Sequence, residues 1–458
     1  MPTLDGQRYS GDLRDRRELA RWFEGEDAAP SFAQSKADLF AECAAALSGV
    51  ARPTAYYVPG RIEVLGKHTD YAGGSTMVVA AERAFCFAAG PRGDSTITVT
   101  DARRRETIRF EITPDLEPTL GHWRNYPMTV ARRIARNFPG ARRGADIALA
   151  SDLPPAAGMS SSSAMIVGVF LILADANDLP NHPRWPAELN DPVHLAEYAA
   201  TIENGQSYGD LAGDRGVGTF GGSEDHTAIL CARRGSISQY AYCPVRFERL
   251  LPVPEGYIFA VGSSGVVAEK TGAAREKYNR ASFLAAKAAE LWRRYTGRDD
   301  PHLAAVLRSG PDAEKRIREA ITKLAPGEAE AAPIIARFEQ FRIENEEVLP
   351  AAGAALLRGN LEEFGRWVDR SQKAAEDLLG NQIPETSFLA AAAREEGAAA
   401  ASAFGAGFGG SVWALVEAAR AEEFLERWRR RYRERYPGRA HLSEFFLTGA
   451  GPAAFRLA

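Results

Sequence analysis

Cysteine is scarce in this chain: Cys43, Cys86, Cys231 and Cys243 stand among 458 residues, with no CxxC pair and no histidine at ligand spacing. That excludes a zinc module and a disulfide scaffold, and reduced thiols in a cytoplasmic setting are expected. Long apolar runs are missing too. The most apolar stretch, Ala164 to Ala174, falls well short of the roughly 20 residues that a bilayer crossing needs. The polar, charged first residues give no secretory leader pattern. Nor is there an excess of either charge: 56 Lys and Arg face 60 Asp and Glu, a formal net charge of -4. No overall field therefore draws nucleic acid or an anionic membrane to the surface. The run Arg427 to Arg435 also carries Glu434 and reads as a solvated helix face.

What is present is ordinary globular usage, 45% hydrophobic and 25% charged, in a chain too long for one core. Thr96 to Thr100 and Thr107 to Ile112 alternate with period two around Arg103 to Arg105, a β-hairpin pattern. Trp123 to Asn137 reads as an amphipathic helix, Ala145 to Ala150 as a strand and Ser160 to Ala176 as a helix buried on most sides. Past about Pro252 helices dominate, at Ala281 to Arg294, Asp312 to Leu324, Ala331 to Glu347 and Leu361 to Leu379. Strands return at Val412 to Val416 and Glu444 to Leu447, around a helix from Ala418 to Tyr432. The expected architecture is α+β in two domains, residues 1–250 and 251–458.

Three segments carry chemistry. Leu153-Pro-Pro-Ala-Ala-Gly-Met-Ser-Ser-Ser-Ser-Ala164 follows a strand and opens into a helix. Small residues, backbone N–H groups and the positive helix end suit a phosphate there, although a serine-rich helix start is equally a set of N-caps. No lysine follows, so this is not the GxxxxGK[ST] loop. Gly405-Ala-Gly-Phe-Gly-Gly-Ser411 precedes a strand, either as a ligand loop or as a tight turn. Pro59 to Gly74 gathers Arg61, Lys67, His68, Asp70 and Tyr71, more polar groups than a fold needs and a set that suits a polyhydroxylated ligand.

In chain order these three segments resemble the signature motifs of the GHMP kinases, and Gly60 to Gly74 is similar to the galactokinase signature GRxNxxGEHxDYxxG. His122-Trp-Arg-Asn-Tyr126 resembles the family's adenine-pocket segment, Gly221 to His226 its catalytic CGxMDQ stretch, and Tyr278-Asn-Arg280 its sugar-contacting segment. Phe446 to Arg456 is similar to the family's C-terminal strand and turn, so the resemblance spans Tyr56 to the end.

The resemblance implies an ATP-dependent sugar kinase, using Mg²⁺, with its active site in the cleft between two domains. It implies that Ala157, Gly158, Ser160, Ser161, Ser162, Ser163, Gly407, Gly409 and Trp123 bind ATP, and that Ser162 and Glu203 hold the metal. Asp225 is the implied proton acceptor, with Arg61 holding it ionised. Lys67, His68, Asp70 and Tyr278 are the implied sugar ligands. The expected partners are a small sugar and ATP, with a monomer favoured.

The chain departs from the pattern at Lys67 (glutamate in galactokinases), Glu63 (asparagine), His226 (glutamine) and Ser402 (arginine or lysine). About ten extra residues also lie in the Gly205 to Gly222 stretch. The family's glutamate at the position of Lys67 reads the hydroxyl on the sugar's sixth carbon, and an ammonium only donates. Either Lys67 turns away to pair with Glu63 or another acid, leaving a neutral-hexose pocket for galactose, or it meets a carboxylate there and the substrate is a uronic acid such as galacturonate. A sugar-binding regulator without catalysis, and a mevalonate or homoserine kinase, are the rival readings.

Overall fold

The computed structural model describes residues 8–26, 28–119, 121–155, 157–267, 273–405 and 407–458. Ala156 and Ala406, one in each of the serine-rich and glycine-rich loops, lie outside the described residues. Two strands form the spine: β1 (Thr54–Leu65) pairs antiparallel with β2 (Ser75–Pro91) over most of its length. β3 (Thr96–Asp101) and β4 (Glu106–Glu111) are the expected hairpin, and β3 runs parallel to β5 (Ala145–Ser151). β6 (Ser236–Ala241) pairs with the first residues of β2, and β7 (Arg246–Pro252) with β6. β8 (Tyr257–Ser263), β9 (Ala400–Ala403), β10 (Ser411–Glu417) and β11 (Glu444–Thr448) make a second, antiparallel sheet in the order β11-β8-β10-β9. The last strand, β12 (Phe455–Arg456), returns to the first sheet, giving the order β12-β1-β2-β5-β3-β4.

β1 carries apolar residues without a period of two because both of its faces are covered. Tyr56 and Val58 pack toward the helix Ser161–Ala176, while Ala55 and Tyr57 pack toward two N-terminal helices, Arg16–Gly25 and Pro30–Ala46. The sequence reading assigns no element ahead of Tyr56, so these two helices are new. Between the sheets lies a core that includes Ile62 and Val64 of β1, Phe259 and Val261 of β8, and Trp413 of β10.

The helical segments fall where expected, with two changes. The segment expected over 331–347 is α only through Glu328–Arg342 and then widens to a π-helix at Ile343–Val348; the segment over 361–379 does the same, α at Leu361–Ala374 and π at Ala375–Leu379. π segments concentrate at functional sites, and the first of these buries Glu344 against the turn after β1.

Candidate functional site

Arg61 owes its position to a bulge. The β1–β2 register shifts between Pro59 and Arg61, and the backbone there presses on the serine-rich loop, with the Arg61 N–H donating to Met159 O at 3.2 Å. A Cβ on Gly60 would sit 2.9 Å from Met159 O, so only glycine fits this approach. A bulge of this kind re-aims a side chain. Here the guanidinium turns inward: Nε donates to Asp225 Oδ1 at 2.8 Å, and Nη1 donates to Gly158 O at 2.9 Å. Asp225 stands in the first turn of the helix Glu224–Cys231, and its other oxygen lies 3.3 Å from Ser163 Oγ.

Around this pair lies a cavity lined by Arg61, His68, Asp70, Glu203, Asp225 and Tyr278, among others. His68 Nδ1 and the Tyr71 hydroxyl share a hydrogen bond of 2.8 Å, and the His68 ring lies 5.5 Å from that of Tyr278. Asp70 accepts from the Glu224 N–H at 3.2 Å. Glu63 and Glu224 line the same cavity, 3.7 and 3.3 Å from the Arg61 guanidinium. Burial raises the Glu63 carboxyl above its usual value, with Arg61 and Lys67 opposing. Burial, and then the charge of Glu63, raises Glu224 further. Burial also raises Asp70, against the backbone N–H groups of Glu224 and Tyr71. Burial alone would lower the Arg61 pKa, but Asp225, Glu224 and Glu63 outweigh it and hold the guanidinium charged.

Four of the sugar-side and catalytic expectations converge on this cavity with Asp225: Arg61, His68, Asp70 and Tyr278. Lys67 does not. It is fully buried outside the lining, its Nζ donating to Ser402 Oγ at 2.7 Å and Ser371 Oγ at 3.1 Å, so the expected substrate contact is absent. The expected pairing with Glu63 is replaced by these hydroxyls.

Trp123, Gly158, Ser160, Ser161 and Ser162 line a second, larger cleft of about 950 Å³. Ala157 is buried beside Gly158, and the Trp123 indole N–H and the Ser160 hydroxyl are buried without a hydrogen-bond partner. Ser163 faces the other way, donating to Glu203 Oε2 at 2.7 Å, so it belongs with the carboxylates of the first cavity rather than with the cleft. Gly407 and Gly409 line neither cavity. Their positive φ values, 67° and 136°, serve close packing, Gly407 against Asn381 and Gly409 against Val266, whose carbonyl oxygen is 2.7 Å from where a Cβ would stand. Gly405 is the glycine-loop member that reaches the sugar-side cavity, directly against the Glu63 carboxyl.

Lys36, Arg83 and Tyr126 also line the cleft, Lys36 paired with Asp152 and Arg83 with Glu444. Tyr126 belongs to the His122–Tyr126 segment of the resemblance, whereas Lys36 and Arg83 lie outside the motifs that sequence reasoning singled out. The extra Gly205 to Gly222 residues form a fixed structure: Arg132 Nε donates to Asp214 Oδ2 at 2.8 Å, the Val217 N–H donates to Glu203 O at 2.8 Å, and Thr219 reaches the sugar-side cavity.

Among the described residues no group of three His, Cys, Asp or Glu is assembled to hold a metal. Ser162 and Glu203 are oxygen donors of the kind a hard cation takes, one from each cavity. This sparse set fits Mg²⁺, which keeps few protein ligands and takes the rest from phosphates and water.

Profiles of known families match three stretches: the galactokinase galactose-binding signature at 46–91, the GHMP kinase N-terminal domain at 125–214, and the GHMP kinase C-terminal domain at 354–434. The sequence is 29% identical to a galactokinase of Roseiflexus sp. (strain RS-1) over 371 residues, 80% of this chain and 84% of that protein. It is 25% identical to a galactokinase of Lacticaseibacillus casei over 418 residues, 88% of this chain and 94% of that one. In fold it is similar to the Lactococcus lactis galactokinase solved with galactose, with a TM-score of 0.72 at 22% identity, covering 89% of this chain and 96% of that one. It is also similar to the Methanococcus jannaschii mevalonate kinase, with a TM-score of 0.55 at 12% identity, covering 88% of this chain and 99% of that one.

Proposed function

Because the chain belongs to the GHMP kinase family and is an ATP-dependent sugar kinase, we propose that it moves the γ-phosphoryl of ATP onto the anomeric hydroxyl of galactose. One observation carries the reading: Arg61, His68 and Asp70, all within the galactose-binding signature, line the same cavity as Asp225, and Arg61 also hydrogen-bonds the loop that borders the nucleotide cleft.

Phosphoryl transfer needs position and charge compensation rather than covalent help from the protein. Galactose lies among His68, Asp70 and Tyr278 with its anomeric hydroxyl at Asp225. Asp225 takes that proton as the sugar oxygen bonds to the γ-phosphorus and the bond to the ADP oxygen breaks. Arg61 holds Asp225 in place and meets the charge growing on the phosphoryl oxygens. Ser160, Ser161 and Ser162 cradle the phosphates at the start of their helix. Mg²⁺ bound with ATP supplies further neutralisation of the phosphates, and Ser162 and Glu203 would hold it.

The cavity opposes a uronic acid. Five carboxyl groups, Glu63, Asp70, Glu203, Glu224 and Asp225, line it, and Lys67, the ammonium that would pair with a substrate carboxylate, lies outside the lining. The direct Arg61–Asp225 pair likewise gives no support to a silent regulator. Steady-state assays with galactose, glucose and galacturonate under one set of conditions test the reading. Galactose should show the highest kcat/KM and galacturonate none; turnover of galacturonate above galactose would overturn it.

A further inference from the structure

The buried ammonium of Lys67 stands at the meeting point of three elements. Its chain position is the turn after β1, one residue before His68 and three before Asp70. Ser402, which receives one of its hydrogen bonds, is in β9, the strand that leads into the glycine loop at Gly405. Ser371, which receives another, is in the helix Leu361–Ala374. That helix continues through the π segment to Asn381, which holds the glycine loop at two points: Asn381 Nδ2 donates to Gly405 O at 2.7 Å, and the Phe408 N–H donates to Asn381 O at 2.6 Å.

The network around the ammonium joins distant elements, and Glu344 Oε2 is the buried oxygen in it that has no hydrogen-bond partner among the described residues. Ser371 Oγ donates to Glu344 Oε1 at 3.0 Å, and that glutamate oxygen also accepts from the Gly66 N–H at 2.7 Å, so the charge of Lys67 is compensated through Ser371 at the root of its own turn. Ser402 Oγ donates to Gln372 Oε1 at 3.0 Å, which also accepts from the Ala403 N–H at 2.9 Å. Gln340 Nε2 donates to the Lys67 carbonyl at 3.0 Å. A buried ammonium offsets its desolvation cost only through the acceptors around it, and both acceptors of Lys67, Ser371 and Ser402, lie 304 and 335 residues away in sequence. The network therefore has one good arrangement of the three elements.

We propose that Lys67 is a positioning residue that ties both supports of the glycine loop, the strand β9 and the helix Leu361–Ala374, to the turn carrying His68 and Asp70. The loop and the sugar-binding wall then move as one body. Gly405 is held against Glu63 in the sugar-side cavity, and Phe404 stays beside Gly158, where the nearest Phe404 atoms are 3.7 Å from an added Cβ. The departures at 67 and 402 become one feature, since the two side chains touch.

Amide hydrogen exchange on the protein without ligands tests this independently of which sugar it phosphorylates. In Lys67→Met the Phe408 amide should exchange at least about tenfold faster, the scale of one lost hydrogen bond to a charged group. The Arg61 amide, bonded to Met159 O, should keep its protection. Ser371→Ala with Ser402→Ala keeps the ammonium but removes its partners, so it should give the same pattern if Lys67→Met fails to fold. In turnover, kcat should fall about tenfold while the galactose KM moves by less than about threefold, as expected for a loop that must be in place for transfer. A folded Lys67→Met with wild-type exchange at Phe408 overturns the proposal. So does a variant that loses only galactose affinity while the loop stays protected, a result that would make Lys67 a sugar ligand.

Discussion

At the scale of single residues the site is a contest for one guanidinium. Arg61 faces Asp225, Glu224 and Glu63 at 2.8, 3.3 and 3.7 Å, so one positive charge stands against three acids. Asp225 has the shortest contact, as a proton acceptor held beside its counterion should. Asp225→Asn should cut turnover by about two orders of magnitude or more while calorimetry still records ATP binding. Retained turnover in a folded variant would remove Asp225 from the chemistry. The two glutamates make a different prediction. Both have pKa values raised by burial from the ordinary 4.5, so the folded state binds their protons more tightly than the unfolded chain does. The stability from that preference is complete below 4.5 and is lost as pH rises through the raised values. Glu224→Gln keeps the hydrogen-bonding shape without the charge. Its Tm should exceed that of the wild type at pH 8, and the gap should narrow steadily toward pH 5. A gap that is constant from pH 5 to pH 8 would mean that folding leaves the Glu224 carboxyl at its ordinary value, with Arg61 offsetting its burial.

At the scale of elements, the two loops answer to backbone geometry. Gly158 has φ +75°, a left-handed conformation that a β-branched residue adopts only with strain, and its carbonyl accepts from Arg61. Gly158→Val should cost about 1–2 kcal/mol in strain alone and withdraw the carbonyl from Arg61, so both nucleotide affinity and turnover should fall. ATP titration by calorimetry checks the first; normal binding would move the phosphates out of this loop. Gly405 tests the opposite wall. Its Cβ would fall inside van der Waals contact of the Glu63 carboxyl, so Gly405→Ala should raise the sugar KM more than the ATP KM. A variant that affects only ATP would reassign the loop.

At the scale of the whole molecule, residues from both ends of the described chain attach to the first sheet. Phe455 is buried against Tyr57 with ring centroids 5.0 Å apart, and the Leu457 N–H donates to Ala55 O at 2.8 Å. Tyr9, near the other end, donates its N–H to Leu457 O at 2.8 Å. The sheet that carries Arg61 is thus completed by residues that follow the second sheet in sequence. Phe455→Ala should cost about 3–5 kcal/mol, the usual scale for emptying a buried aromatic site. Thermal unfolding checks this, and a loss below about 1 kcal/mol would show that β12 only decorates the edge. Residues 1–250 expressed alone lack this strand and should unfold at lower temperature than the same residues in the whole chain.

Local pattern in the sequence reaches as far as local physics does. The β3–β4 hairpin, the helix after the serine-rich loop, and the spacing of Arg61, His68 and Asp70 were legible because alternation, capping and turn chemistry act over a few residues. β2 escaped that reading because burial on both faces removes its alternation, and the N-terminal helices because no motif marks them. The family resemblance brought Asp225 and Arg61 together on paper; the bulge at Gly60 brings them to 2.8 Å. Lys67 is the clearest division. Its identity promised a charge in the sugar motif, and the sequence left two directions open for it. Ser371 and Ser402, 304 and 335 residues further along, decide the direction. The same holds for Gly407 and Gly409, whose positive φ was foreseeable and whose packing partners were not. The sequence by itself determined which elements form and which polar groups are available. Only the tertiary structure decided which of those groups face the substrate, because a buried charge points to whichever partners satisfy it, and those partners come from distant parts of the chain.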